Sequence, residues 1–141
     1  MAETPLFQID VQISFGHCDA AGIVFYPNFF RWFDRCFHTF LLERHGGHAA
    51  LCRQLGARGI GLMHADADFR SPGLDGDLFT LDLGPINWAN RSLTVPYTGR
   101  IGDRVLVEGY ETRGIFAERE GRLTAAPTDQ LRALIEGADH G

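Results

Sequence analysis

The chain has 141 residues, 45% of them apolar, and a net charge of -5, the size and make-up of one domain around a single buried core. This acidic balance argues against a protein that works mainly by neutralising nucleic-acid phosphates, so no nucleic-acid partner is expected. All thirteen basic residues are arginine, and a chain without lysine can form neither a lysine Schiff base nor the lysine contact of a P-loop.

The opening MAETPLFQID lacks the charged start and apolar run of a signal peptide. No later stretch approaches the roughly 18 apolar residues of a membrane span. A cytoplasmic protein with no membrane partner is therefore expected, and its odd set of cysteines, Cys18, Cys36 and Cys52, reads as reduced thiols. From Phe7 to Phe15, Phe7, Ile9, Val11, Ile13 and Phe15 alternate with polar residues, the period of a strand with one buried face. The segment GHCDAAGIVFYP follows, and its Gly16, Asp19 and Gly22 predict a tight irregular turn. Pro27 suits the first turn of a helix, and Gly46 with Gly47 suits the end of one, so a long helix is expected from about Pro27 to His45.

At about 100° per residue, Phe29, Phe30, Trp32, Phe33, Cys36, Phe37, Phe40 and Leu41 cover about half of that helix, leaving Arg31, Arg35, His38 and Thr39 on the other half. So much aromatic surface needs a sheet to cover it. Asp34 falls at the border of the two halves, where it can face a cleft or simply pair with a neighbour on the helix. After a polar, partly helical link over 48–58, strands are expected from about Gly61 to Phe69, Leu78 to Asn87, Arg91 to Thr98 and Arg104 to Phe116. Pro96 marks an edge or a bulge in its strand. After Pro127, Leu131, Leu134 and Ile135 share one face of a short terminal helix. One domain of the α+β class over residues 1–141 follows, a long helix packed on an antiparallel five-stranded sheet.

Several chemistries fail on inspection. The serines are Ser14, Ser71 and Ser92, and none stands in a nucleophile elbow. No glycine-rich dinucleotide fingerprint follows a strand. His17, Cys18, His45, His48 and Cys52 lack the paired spacing of a metal site, so no metal is expected. What remains is a carboxylate, Asp19, a few residues ahead of a helix start whose free N–H groups carry partial positive charge. A thioester carbonyl set against such donors would be polarised, and Asp19 would attack its carbon or activate a water. Judged by local chemistry alone, Asp19 reads first as the side chain that closes a turn and only second as a chemical group. His17 reads as a turn residue or as a hydrogen-bonding aid to a site.

The run GHCDAAGIVFYPNFFRWFD, from Gly16 to Asp34, resembles the signature of the hotdog-fold acyl-CoA thioesterases related to 4-hydroxybenzoyl-CoA thioesterase. The resemblance extends more weakly through ADADFRSPGLDGDLF, NRSL and GRLTAAPTDQLRALI. It implies a hotdog fold in which the sheet wraps the long helix, and hydrolysis of an aromatic or medium acyl-CoA. It also implies Asp19 as the catalytic carboxylate and the Tyr26 N–H as the donor that polarises the thioester. His17, Asp34, Arg91 and Ser92 are the residues it implies for substrate binding, Asp34 acting on the acyl group from a neighbouring subunit and Arg91 lying near the coenzyme A phosphates. No cofactor is implied beyond the coenzyme A of the substrate. A homodimer or homotetramer with sites at the subunit interface is. Two departures bear on the substrate: Trp88, Ala89, Asn90 and Arg91 leave a single arginine where the founding enzyme is strongly basic, and Met63 and His64 stand near the acyl pocket. A hotdog module that binds thioesters without hydrolysing them is the competing expectation, with a dehydratase of the same fold behind it.

Overall fold

The computed structural model describes residues 4–140, with side chains as far as residue 137. In chain order the elements are β1 (Phe7–Gln12), α1 (Pro27–His45), α2 (His48–Leu55), β2 (Gly59–Phe69), β3 (Leu78–Leu83), β4 (Asn87–Trp88), β5 (Leu93–Ile101), β6 (Arg104–Arg119), β7 (Arg122–Ala126) and α3 (Asp129–His140). The sheet runs β1-β3-β5-β6-β2, the five strands expected from the sequence, with the short strands β4 on β5 and β7 on β6 added. β1 pairs antiparallel with β3 from Phe7↔Leu83 to Gln12↔Leu78.

The alternation that points to a strand as far as Phe15 stops earlier. Ile13 is still buried, but Phe15 is 82% exposed at the head of a 3-10 turn, Phe15–His17. The Ser14 N–H donates to His17 Nδ1 at 2.9 Å and the His17 N–H to the Ser14 carbonyl at 2.9 Å. This local pairing satisfies backbone that a strand would leave to a neighbour. The strand expected to reach Asn87 likewise ends at Leu83, because Pro85 has no N–H for a ladder. The same break accounts for Pro96. Although β5 is an inner strand, Pro96 lies between the residues paired with β3 and those paired with β4, and its carbonyl takes the Gly84 N–H at 2.9 Å.

Contacts divide the chain into two compact units. One comprises the residues up to Phe37 with Ala65–Pro85 and Pro96–Tyr110, and the other His38–His64, Ile86–Val95 and the chain from Glu111 onward. In the first, the apolar stripe of α1 meets the sheet: Phe33 stacks on Tyr97 at 4.5 Å, and Trp32 and Phe29 meet Phe79 at 5.3 and 6.0 Å. Burying a phenylalanine of this kind contributes up to about 3 kcal/mol over leaving it in water. Gly109 permits the approach, since a β-carbon there would collide with the Asp66 carbonyl and the Phe33 ring.

In the second unit, Leu51 and Cys52 of α2 and Leu131 and Ile135 of α3 are buried. Thr128 ties the start of α3 to the loop before β5, its N–H donating to the Asn90 carbonyl at 2.9 Å. Glu111 and Arg113, two residues apart on β6 and each 2% exposed, form an ion pair at 2.9 Å, and Arg113 also donates to the Ile60 carbonyl at 3.4 Å. Among the described residues no helix is long and apolar enough to cross a membrane.

Candidate active site

Between the 3-10 turn and α1 the chain makes a miniature hairpin. Cys18 bridges Val24, the Asp19 N–H donates to the Ile23 carbonyl at 2.9 Å, and the Gly22 N–H donates to the Asp19 carbonyl at 2.9 Å. Gly22 has φ +80, a left-handed conformation that glycine adopts without a β-carbon clash. The Asp19 carboxylate takes part in its own turn: Oδ1 accepts the Ala21 N–H at 2.9 Å. Turn closure and a chemical role are thus compatible, because Asp19 is exposed and no described residue engages its other oxygen.

His17 fastens this hairpin to the helix. Its carbonyl accepts the Phe25 N–H at 2.9 Å and the side-chain amide of the buried Asn28 at 2.8 Å. Its ring lies edge-on to Trp32 with centroids 5.1 Å apart. Because Nδ1 accepts the Ser14 N–H, the neutral ring carries its proton on Nε2. The donors at the start of α1 are then nearly all consumed. Pro27 has none, the Asn28 N–H turns back to the Phe25 carbonyl at 3.0 Å and the Phe29 N–H to the Tyr26 carbonyl at 3.1 Å. The Tyr26 N–H finds no acceptor among the described residues. A donor left open beside a helix N-terminus suits an oxyanion or a polarised carbonyl.

Asp19 and Tyr26 line one cleft of about 550 Å³ with Ile23, Val24, Phe29 and the segment Phe69–Gly73. The Tyr26 and Phe29 rings meet Phe69 at 6.0 and 5.7 Å, giving the cleft aromatic walls. A cavity of similar size, about 540 Å³, runs along Asp82, Pro96 and Arg100, but there the Arg100 guanidinium is already bound to Asp82 at 2.8 Å. The cleft at Asp19 therefore combines a free carboxylate oxygen, an open backbone donor and an apolar lining.

The other expected site residues are distributed differently. His17 does not line the cleft and acts through its carbonyl. Asp34 stands exposed on α1, outside the lining. Arg91 and Ser92 belong to the second unit, where Arg91 donates to the Ala125 carbonyl at 2.7 Å and lines a concavity of about 300 Å³ with Arg119, Thr124 and Pro127. Ser92 lies in the turn before β5, its carbonyl taking the Ala89 N–H at 2.8 Å. The opposite wall of the cleft, Phe69–Gly73, carries no role in the sequence reading. Its Arg-Ser-Pro-Gly run reads only as a turn, and its lining role depends on which hairpin it pairs with.

The chain belongs to the thioesterase superfamily, whose family model matches residues 21–108. The matched span begins just after Asp19 and includes Tyr26 and Asp34. The chain is 28% identical over 136 residues to the 4-hydroxybenzoyl-CoA thioesterase of Pseudomonas sp. (strain CBS-3), covering 92% of this chain and 90% of that protein. It is also 28% identical over 141 residues to the 1,4-dihydroxy-2-naphthoyl-CoA hydrolase of Synechococcus sp. (strain CC9311), covering 95% and 91%. The solved structure of a gentisyl-coenzyme A thioesterase superposes with a TM-score of 0.71 at 28% identity, covering 85% of this chain and 94% of that one. The fold is the hotdog fold of these thioesterases, as the resemblance at Gly16–Asp34 implies.

Proposed function

We propose that the protein hydrolyses the coenzyme A thioester of an aromatic carboxylic acid, with Asp19 as the catalytic carboxylate and the Tyr26 N–H as the oxyanion donor. The observation that carries this reading is the pairing, in one aromatic-walled cleft, of a carboxylate with an unengaged oxygen and a helix start with one open N–H. The three relatives described above, each named for an aryl-CoA substrate, support the choice of acyl class.

With the thioester carbonyl against the Tyr26 N–H, charge that develops on oxygen in the transition state meets a preset donor. Asp19 then serves by one of two routes. As a nucleophile, its free oxygen attacks the carbonyl carbon, the C–S bond breaks to release the coenzyme A thiolate, and water cleaves the resulting anhydride. As a base, it takes a proton from water whose oxygen forms the new C–O bond, and collapse of the tetrahedral intermediate breaks the C–S bond to release the coenzyme A thiolate. Either route yields the free acid and coenzyme A.

Arg91, beside Arg119 in its concavity, is the residue proposed to meet the coenzyme A phosphates, with Ser92 next to it. β2 ends the strand order and exposes Leu62 and Met63 by 54% and 51%. An edge of this kind suits pairing with a second copy, and the proposed assembly is a homodimer, or a dimer of dimers, in which Asp34 reaches the acyl group of the neighbouring subunit.

The test is thiol release from benzoyl-, hydroxybenzoyl-, phenylacetyl- and fatty acyl-CoA. Aryl thioesters are expected to turn over fastest, and Asp19→Asn to lower kcat by about 10³-fold. Near-wild-type turnover by that variant would overturn the assignment of Asp19, and a preference for long fatty acyl chains would overturn the acyl class.

A further inference from the structure

The wall facing Asp19 is irregular chain. Between the end of β2 at Phe69 and the start of β3 at Leu78, residues 70–77 belong to neither helix nor strand, yet the Asp19 hairpin is built on them. Val24 donates its N–H to the Gly73 carbonyl at 2.9 Å, and Ile23 bridges Leu74. A β-carbon on Gly73 would stand 2.8 Å from Ile13 and 3.1 Å from Val24, so the segment is pressed against the hairpin's outer strand.

Backbone hydrogen bonds to Leu106 and Ile13 anchor the segment at 70–71 and 76–77, and one arginine adds side-chain ties across it. Arg104, at the start of β6, donates through Nη1 to the Pro72 carbonyl at 2.9 Å and to Ser71 Oγ at 3.3 Å, while Nη2 faces Asp77 at 3.8 Å. Asp77 in turn accepts the Leu74 N–H at 3.0 Å, and the Ser71 hydroxyl donates to the Val105 carbonyl at 2.7 Å. One planar cation thus holds both ends of the 71–77 loop, a task for which a guanidinium is suited and an ammonium is not. Arg104 itself does not line the cleft.

We infer that Arg104, with Asp77, is a positioning residue for the Asp19 carboxylate. It fixes the Pro72–Leu74 backbone, this backbone fixes Ile23 and Val24, and Ile23 accepts the N–H of Asp19. The inference rests on the hydrolase reading for its catalytic consequence but not for its geometry. A displacement of about 1 Å at a reacting group is enough to cost about 10²-fold in rate.

The experiment compares Arg104→Met and Arg104→Lys with Arg58→Met, which removes an exposed ion pair to Glu118 elsewhere in the chain. Arg104→Met is expected to lower kcat on an aryl-CoA by about 10- to 100-fold with KM within about threefold, a loss proper to misplacement at the reacting centre. Arg104→Lys, which can still reach the Pro72 carbonyl, is expected to recover part of it, and Arg58→Met to leave kcat unchanged. Amide NMR shifts provide a readout independent of turnover. In Arg104→Met the Asp19, Ala21, Ile23 and Val24 signals are expected to move while those of α3 stay in place. Unchanged kcat in a folded Arg104→Met protein, or unmoved signals across 19–24, would overturn the inference. If Asp19→Asn retains activity the catalytic assignment of Asp19 falls, and the amide signals still decide whether Arg104 positions the turn.

Discussion

The turn at Asp19 and the middle of β6 each carry a hydrogen-bonded carboxylate, and the two could hardly be used more differently. Asp19 is exposed in a hairpin closed by backbone hydrogen bonds and gives one oxygen to the Ala21 N–H. Glu111 is buried against Arg113, inside a unit packed by α2 and α3. A carboxylate kept in water loses little solvation, so it can be given to chemistry without endangering the fold. A carboxylate taken out of water must keep its cation, because the loss of either partner strands a buried charge. Function and stability should therefore separate cleanly between the two positions.

The comparison can be broken most sharply at Asp19. The loss of about 10³-fold in kcat expected of Asp19→Asn should come with a change in unfolding free energy of less than about 1 kcal/mol, read by urea denaturation, since Asn retains an acceptor for the Ala21 N–H. A large fall in stability would show that the turn depends on the charge itself. Glu111→Ala should do the reverse: a destabilisation of about 3–5 kcal/mol in the same titration, with kcat of the remaining folded protein little changed. Replacing Glu111 and Arg113 together by methionine should restore most of that stability, which would assign the loss to the stranded charge and not to packing.

Smaller effects sharpen the picture near each carboxylate. Gly73→Ala should cost about 1–3 kcal/mol through the contacts with Ile13 and Val24, and because Val24 belongs to the Asp19 hairpin, kcat should fall with it. The smallest effect concerns Cys52. Burial pushes its thiol above the ordinary range, partly offset by a hydrogen bond from the Ile60 backbone. The folded state then holds this proton more tightly than the unfolded chain does. The resulting stabilisation is fully present below the ordinary thiol range of about 8.5 and is lost as pH rises through the raised value. Cys52→Ala should flatten the decline in melting temperature above that pH, and an unchanged slope would exclude the thiol as its source.

The sequence makes the long elements legible because their signals are local. The bounds of α1 follow from Pro27 and the glycine pair after His45, and its buried face from aromatic spacing. The five principal strands follow from alternation. The misread boundaries are those where one residue's backbone chemistry outweighs the pattern, as at Ser14 and His17, where a 3-10 turn exposes Phe15, and at Pro85, where the ladder stops. At the site, Asp19 is legible as a turn acid near a helix start, whereas the Tyr26 donor comes from the family resemblance and not from any local signal. The Phe69–Gly73 wall is not legible, because it becomes part of the cleft through pairing with residues some fifty positions away, and nothing local marks Arg104 as the cation that shapes it.

The hydrogen bonds from the Phe25 N–H and the Asn28 amide to the His17 carbonyl have an evolutionary consequence. They close residues 17–28 into a single loop, so the carboxylate and the open donor travel as one portable cassette of a dozen residues. The Phe69 ring that meets Tyr26 and Phe29 comes from a distant stretch of chain, and only the Gly73–Leu74 backbone that follows it is tied to the cassette. On the proposed function, acyl preference can therefore diversify through the Phe69 side chain while residues 17–28 and their Gly73–Leu74 support are inherited together.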